Sequence, residues 1–234
     1  MKRSSPWAIF AVLIMFGMPA YAEQTAEEIL KAVIKIRSVI PKEAHTASTL
    51  GTEREGNGVL IDSKGHILTT GYLIIEAETI EVFGPEGKTV NATFVGYDHS
   101  TGFGLLRANQ PLGVEPMKLG QSSKAKEGEP VLVAGYGGAE AVMGARIVSR
   151  KEFTGYWEYI LEDAIFTAPP YANFGGTALI GRDGSLLGIG SLFTQLAIPG
   201  LGSIPCNVFI PIDLLNPVSY THLRAHEIVL DLVC

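Results

Sequence analysis

The sequence predicts an all-β fold, either a barrel or a sandwich. Between residues 57 and 212, short apolar runs alternate with turn signals such as DSKG and PEGK. Helical periodicity is almost absent over the same stretch, and the runs return about every ten residues. Because strands joined by Gly- and Asp-containing turns pair as antiparallel hairpins, this pattern favours an antiparallel all-β protein over an α/β protein.

Composition sets the size of the protein and excludes some functions. The 234 residues fit one large all-β domain or two small ones, and a hydrophobic content of 47% is enough for a real core. The net charge of −6 and the 18 scattered Lys and Arg residues disfavour nucleic-acid binding. Cys206 lies in the body of the chain and Cys234 is its last residue, so a disulfide framework is not expected. Nothing in the sequence indicates a cofactor.

The first 22 residues predict a secretory signal peptide. Lys2 and Arg3 precede an apolar run over residues 7–18, and the small-residue pattern Ala20-Tyr21-Ala22 follows. The run is shorter than the ~20 apolar residues that a membrane span requires. We therefore expect cleavage before Glu23, a periplasmic or secreted bacterial protein, and no membrane span after cleavage.

The mature chain is expected to begin with a short helix that leads into a strand. Thr25 and Glu28 have capping-box spacing, and the pattern then alternates up to about Ile40. Residues 41–56 are polar and predict a loop that ends at Gly56-Asn57-Gly58. Strand-and-turn patterns then fill two halves, about 30–118 and 125–215, joined near residues 116–130.

Residues 217–234 do not continue the β pattern. Their sequence resembles the translation of a sequencing adapter that was read as part of the gene. The folded domain is therefore predicted to be 23–216, with a doubtful tail after it. His222 and His226 have the spacing of metal ligands on one helical face, but the tail supplies no third ligand in order, so no metal site is predicted.

Three blocks of sequence carry a family resemblance. They are GNGVLIDSKGHILTTGYLI at 56–74, FVGYDHSTGFGLLRA at 94–108 and APPYANFGGTALIGRDGSLLGIGS at 168–191. In order and spacing they resemble the three triad-bearing blocks of HtrA-type, trypsin-like serine proteases. The resemblance covers about residues 30–215 and implies two six-stranded antiparallel β-barrels.

At the three triad positions the chain departs from the family pattern. The resemblance places the catalytic histidine on Tyr72, the aspartate on Gly102 and the nucleophilic serine on Phe174. Acyl transfer by this constellation needs a hydroxyl, an imidazole and a carboxylate, and none of these groups is supplied at its position. We expect the two aromatic rings to meet, with centroids roughly 4.5–7 Å apart.

The loop that carries the nucleophile in the family is still recognisable. It corresponds to Ala172, Asn173, Gly175 and Gly176, whose backbone N–H groups do not depend on side-chain identity. The sequence therefore predicts a catalytically inactive homologue that binds an extended peptide or unfolded protein segment. The alternative is an active serine endopeptidase of periplasmic protein quality control. The oligomeric state is left open.

Overall fold

The structure is a computed structural model, and it describes residues 24–154, 160–198 and 202–215. The described residues form twelve strands and two short α-helices. The helices are α1 (Ala26–Lys31) and α2 (Ala47–Leu50). The strands of the first half are β1 (Val33–Val39), β2 (Glu53–Leu60), β3 (His66–Thr70), β4 (Thr79–Phe83), β5 (Thr89–Tyr97) and β6 (Phe103–Ala108). Those of the second half are β7 (Pro130–Ala134), β8 (Val142–Thr154), β9 (Ile160–Ala168), β10 (Ala178–Ile180), β11 (Leu186–Ile198) and β12 (Gly202–Pro211).

The strands close into two six-stranded antiparallel barrels. The first has the order β1-β2-β3-β6-β5-β4 and the second the order β10-β11-β12-β9-β8-β7. Their interiors are filled by alternating inward-facing side chains, such as Ile36, Ile67 and Leu105 in the first barrel and Val133, Ile165 and Phe209 in the second. The predicted all-β fold of two barrels is confirmed.

The chain enters the first barrel through the predicted helix. Thr25 caps α1, because its hydroxyl accepts the Glu28 N–H at 3.3 Å while the Glu28 carboxylate accepts the Thr25 N–H at 2.8 Å. β1 follows directly and pairs with β2 and β4. The capping-box spacing thus predicted the start of the helix, and the alternating pattern after it predicted the strand.

The prediction of a loop over residues 41–56 is wrong for its second half, which contains a short helix and the start of a strand. Residues 47–50 form α2, and β2 begins at Glu53. Two acidic residues of β2, Glu53 and Glu55, are exposed and form ion pairs with β1. Lys35 contacts Glu55 at 2.9 Å, and Arg37 contacts Glu53 at 3.4 Å. The charged residues that form these cross-strand pairs give the segment a polar composition typical of a loop, although the segment is a strand.

The join between the barrels is held to the end of the second barrel. Asp213, in the turn after β12, accepts the backbone N–H groups of Ser122 and Ser123 at 2.9 and 2.8 Å. In return the Asp213 N–H donates to the Ser122 hydroxyl at 3.1 Å. These contacts fix the linker against the second barrel.

Candidate functional site

The structure brings the three positions of interest to one place between the barrels. Tyr72 lies in the short 3₁₀ turn Gly71–Leu73 that follows β3, and Phe174 lies in the loop between β9 and β10. Both line a pocket of about 430 Å³. Gly102 precedes β6, and its carbonyl accepts the Gly71 N–H at 2.8 Å, so it lies beside the Tyr72 turn.

Three of the four predicted loop residues line this pocket, namely Ala172, Asn173 and Gly175. Gly176 lies beneath them, with a φ of +74° that favours glycine. Its N–H donates to the Gly190 carbonyl at 2.8 Å. The loop is therefore anchored on β11 of the second barrel.

The loop is also closed on itself by Thr177. The Thr177 N–H and hydroxyl both donate to the Phe174 carbonyl, at 3.1 and 2.8 Å. The Phe174 backbone is thus fixed although its side chain is only partly buried. A loop held this firmly keeps a defined shape without a catalytic side chain.

Asn57 on β2 holds the loop from the other barrel, and sequence reasoning missed it. Its backbone N–H donates to the Gly175 carbonyl at 2.8 Å, and its side-chain Nδ2 donates to the carbonyls of Asn173 and Gly175 at 3.1 and 3.0 Å. Its Oδ1 accepts the Tyr136 N–H at 2.8 Å. The signal in the sequence was a polar residue between two glycines, Gly56 and Gly58, at the start of an apolar run.

Tyr72 crosses the pocket toward the second barrel. Its hydroxyl donates to the Ser191 carbonyl at 3.0 Å. The same oxygen lies so close to Gly175 that a Cβ added there would be 2.6 Å away. The expected Tyr72–Phe174 ring pair is wrong: in the described part of the chain the ring pairs are Tyr97–His99 and Phe153–Phe166. The phenol is drawn to a carbonyl acceptor rather than to the other ring.

A buried arginine supports the Tyr72 turn from behind. Arg54 is 5% exposed, and its Nη1 donates to the carbonyls of Tyr72 and Ile75 at 2.8 and 3.2 Å. Its Nε donates to the Gly51 carbonyl at 3.2 Å, and its Nη2 to the Thr46 hydroxyl at 2.8 Å. Burial lowers the pKa of the guanidinium, and the charge of nearby Glu76 opposes that shift.

The histidines nearest in sequence to the triad positions do not line the pocket. His66 is buried on β3, where its Nδ1 lies 2.7 Å from Asp62 Oδ2. His99 is exposed in the β5–β6 turn and packs against the Tyr97 ring with centroids 4.3 Å apart. Neither is placed to act on a group held between Tyr72 and Phe174.

The turn that ends at Gly102 is organised by Asp98. Its carboxylate accepts the Ser100 N–H at 2.9 Å and the hydroxyls of Ser100 and Thr101 at 2.6 and 2.9 Å. Burial acts to raise the pKa of Asp98, but these hydrogen bonds more than offset it and hold the pKa below its usual value of 3.8. The ionised carboxylate therefore stabilises the folded turn.

We expect Asp98→Ala to lower the free energy of unfolding by about 2 kcal/mol at neutral pH, because three hydrogen bonds to a charged acceptor are lost. A folded-state pKa below the unfolded one gives stability that is present above about pH 4 and lost as pH falls further. The difference between wild type and variant in urea unfolding should therefore shrink between about pH 4 and pH 2. Glu43→Ala removes an exposed carboxylate and is the control; an equal shrinkage there would contradict the assignment.

Comparison with known proteins decides the family. The family model described as the trypsin-like peptidase domain matches residues 56–189, which is more than half of the chain. The chain belongs to the trypsin-like peptidase family. The matched residues include both walls of the pocket at Tyr72 and Phe174.

Within the trypsin-like peptidase family, the similar proteins are of the HtrA type. The periplasmic pH-dependent serine endoprotease DegQ of Escherichia coli is 28% identical over 180 residues, covering 74% of this chain and 38% of that protein. The serine protease PepD of Mycobacterium tuberculosis is 28% identical over 219 residues, covering 83% and 45%. The chain thus spans less than half the length of these two relatives.

A solved structure, the HtrA-type protease AlgW with tripeptide, shares the fold of this trypsin-like chain with a TM-score of 0.60. The two are 23% identical, and the match covers 82% of this chain and 61% of that one. Among the residues described here, no helix is long and apolar enough to cross a membrane. The same residues contain no cluster of His, Cys, Asp and Glu side chains suited to a metal ion.

Proposed function

We propose that this HtrA-type chain does not cleave peptide bonds and instead binds extended segments of protein in the bacterial envelope. The observation that carries the proposal is the pair of side chains facing the pocket. Tyr72 and Phe174 stand where the resemblance places the base and the nucleophile. Phenylalanine has no nucleophilic atom, and a tyrosine hydroxyl with an unperturbed pKa near ~10 is a poor general base at neutral pH.

Gly102 removes the third catalytic function. In a serine protease triad, a carboxylate orients the imidazole and stabilises its charged form. A glycine at this position provides no such group, and the nearest carboxylate in the turn, Asp98, is engaged with Ser100 and Thr101. The loss of all three functions together favours a binding role over a weakened enzyme.

The second barrel offers an edge to which a peptide strand can add. β11 pairs with β10 only over residues 186–189, whereas its pairing with β12 continues to Ile198. From Leu192 to Ile198 the described strands pair with β11 on one side only, where β12 lies. Phe193 on this segment is 49% exposed. Backbone hydrogen bonds along such an edge hold an extended peptide without sequence-specific chemistry.

The compared proteins support peptide binding and an envelope location. The AlgW structure was solved with a tripeptide, and DegQ is a periplasmic endoprotease. An envelope location also agrees with the predicted signal peptide, which lies outside the described residues. The alternative, an active endopeptidase, rests on the names of the same relatives.

The proposal is tested with β-casein, an unstructured protein, labelled with fluorescein. We expect the purified chain to raise the anisotropy of the label without producing fragments on a gel, and to remain unlabelled by a fluorophosphonate probe. Hydrolysis above background, after rigorous removal of host proteases, would favour the endopeptidase. Absence of both binding and hydrolysis would contradict both functions.

A pair of matched variants locates the binding edge. Phe193→Ser removes an exposed ring from the open edge of β11, whereas Phe94→Ser removes a ring of similar exposure, 41%, from the first barrel. We expect Phe193→Ser to weaken casein binding about fivefold, which corresponds to the loss of roughly 1 kcal/mol. Phe94→Ser should leave binding unchanged; equal losses in both variants would argue against the β11 edge.

A further inference from the structure

We propose that α1 is a brace for the pocket loop, residues 171–177, and that undocking of this helix loosens the loop. The inference rests on the proposed function for its effect on peptide binding, and it adds a means of regulation to the same site. α1 leads directly into β1 of the first barrel, yet it packs against the second barrel. No residue of α1 lines the pocket, so the brace acts from outside the peptide site.

Two turns of the second barrel receive α1. In the turn between β10 and β11, Gly184 has a φ of +74°, and a Cβ added there would lie 2.6 Å from Ile29 Cδ1. Glycine therefore permits both the turn and the close approach of the helix. α1 also lies against the 3₁₀ turn Gly138–Ala141, which joins β7 to β8. Ile29 and Leu30 are half-buried against the hydrophobic core, so apolar burial keeps the helix docked.

The turn Gly138–Ala141 is built from flexible backbone. Gly137 and Gly138 have φ angles of +130° and +67°, and glycine has the most freely rotating backbone of all residues. The turn has no side-chain cap at its start, and Ala139 and Glu140 are exposed. The packing of α1 on this turn therefore restricts conformations that the turn itself allows.

The carbonyl of Ala141 connects this turn to the pocket loop. It accepts the Gly135 N–H at 2.9 Å and the Tyr171 hydroxyl at 3.1 Å. Tyr171 is the first residue of the pocket loop, and its own N–H donates to Asn207 Oδ1 on β12 at 2.6 Å. Residues 172–175, which follow it, line the pocket. A movement of the turn therefore displaces the Tyr171 side chain and, with it, the start of the pocket loop.

The brace gives the peptide site two states. With α1 docked, the pocket loop is fixed in the conformation that binds a peptide. With α1 undocked, the turn and the loop adopt several conformations, and the apparent affinity falls in proportion to the fraction of molecules that keep the binding conformation. Displacement of α1 therefore weakens peptide binding from a place that the peptide does not contact.

Ile29→Ser tests the brace by weakening the packing of α1. Hydrogen exchange is measured on the purified chain without ligand, at the hydrogen-bonded amides of Gly135 and Tyr171. We expect both amides to exchange several-fold faster than in the wild type, because the turn that connects them opens more often. The affinity for fluorescein-labelled β-casein should fall roughly threefold, the change expected when about a third of the molecules keep the binding conformation. Unchanged exchange at both amides would overturn the brace.

The matched control is Ile61→Ser. Ile61 is also half-buried against the hydrophobic core, but it lies between β2 and β3 of the first barrel. This variant measures the general effect of replacing a half-buried isoleucine by serine. Exchange at Gly135 and Tyr171, and the casein affinity, should remain those of the wild type. Equal acceleration in Ile29→Ser and Ile61→Ser would mean that overall stability, and not α1, controls the loop, and the brace would be refuted.

A double variant tests the route through Ala141. Tyr171→Phe removes only the hydroxyl that bonds to the Ala141 carbonyl. When Ile29→Ser is added to Tyr171→Phe, exchange at Gly135 should still become faster, but exchange at position 171 should not change further, because the connecting bond is already absent. Further acceleration at position 171 would contradict this route.

The exchange measurements separate the brace from the proposed function, because they need no ligand. If the wild type does not bind casein, the proposed function is wrong, and exchange alone decides on the brace. If the wild type binds casein and Ile29→Ser binds it equally well despite faster exchange, α1 does not control the peptide site, and the regulation is refuted while the binding function stands.

Discussion

Gly176→Ala is expected to prevent stable folding. The residue has a φ of +74°, and a Cβ at this position would lie 1.8 Å from the Asn57 carbonyl oxygen and 2.6 Å from the Thr69 hydroxyl. Both atoms belong to the first barrel, where the Thr69 hydroxyl donates a hydrogen bond to the Asn57 carbonyl at 2.6 Å, so neither is free to move away. We expect a loss of more than about 4 kcal/mol, comparable to the whole stability of many domains. Circular dichroism during thermal unfolding measures it.

Gly87→Ala separates the contribution of backbone conformation from that of the collision. Gly87 has nearly the same φ, +75°, but no atom lies within 4 Å of an added Cβ. This variant should lose only about 1 kcal/mol, the cost of a left-handed conformation for alanine. Similar losses in the two variants would mean that the loop and β2 are not packed as closely as described.

Arg54→Met is expected to destabilise the protein by about 3 kcal/mol and to lower its melting temperature by about 6–12 °C. The substitution keeps most of the buried volume but removes every donor of the guanidinium. The carbonyls of the half-buried residues Tyr72 and Ile75 would then lose a hydrogen bond from a buried donor, and the carbonyl of Gly51 would lose its bond as well. Leaving such acceptors unpaired costs more than the bonds themselves contribute in water.

Arg37→Met is the matched control for Arg54→Met. Arg37 lies on β1 with its side chain 41% exposed, and its partner Glu53 is 3.4 Å away. An exposed pair of this kind contributes at most about 1 kcal/mol, so the melting temperature should change by no more than a few degrees. If Arg37→Met lowered the melting temperature as much as Arg54→Met, the stabilising effect of Arg54 could not be ascribed to its burial.

The fold could be predicted because its signals are local. Strand alternation, turn residues and the Thr25–Glu28 capping box each act within a few residues, and the structure has strands where those patterns occur. The start of β2 at Glu53 was missed because its charged residues are stabilised by β1, a contact that local composition does not show. Strand boundaries were thus harder to predict than the all-β fold class.

The site was predictable in position but not in contacts. The family resemblance implied that Tyr72 and Phe174 lie together, and both line the pocket. The direction of the Tyr72 hydroxyl, the role of Asn57 and the role of Arg54 depend on partners many positions away. Asn57 Nδ2, for example, bonds to Asn173, 116 positions further along the chain. Such pairings arise only when two barrels dock, so no sequence window contains them.

The contacts of Asn57 also bear on how the protein unfolds. One side chain on the first barrel satisfies backbone groups of Asn173, Gly175 and Tyr136 on the second. If the barrels separate, those groups and the amide of Asn57 lose their partners together. Melting of one half therefore removes the scaffold of the other, and the two halves should denature in a single cooperative transition. The pocket is lined by residues of both barrels, so neither barrel forms it alone. It arises from the packing of one barrel against the other within a single chain, much as a site at a subunit interface arises in a dimer.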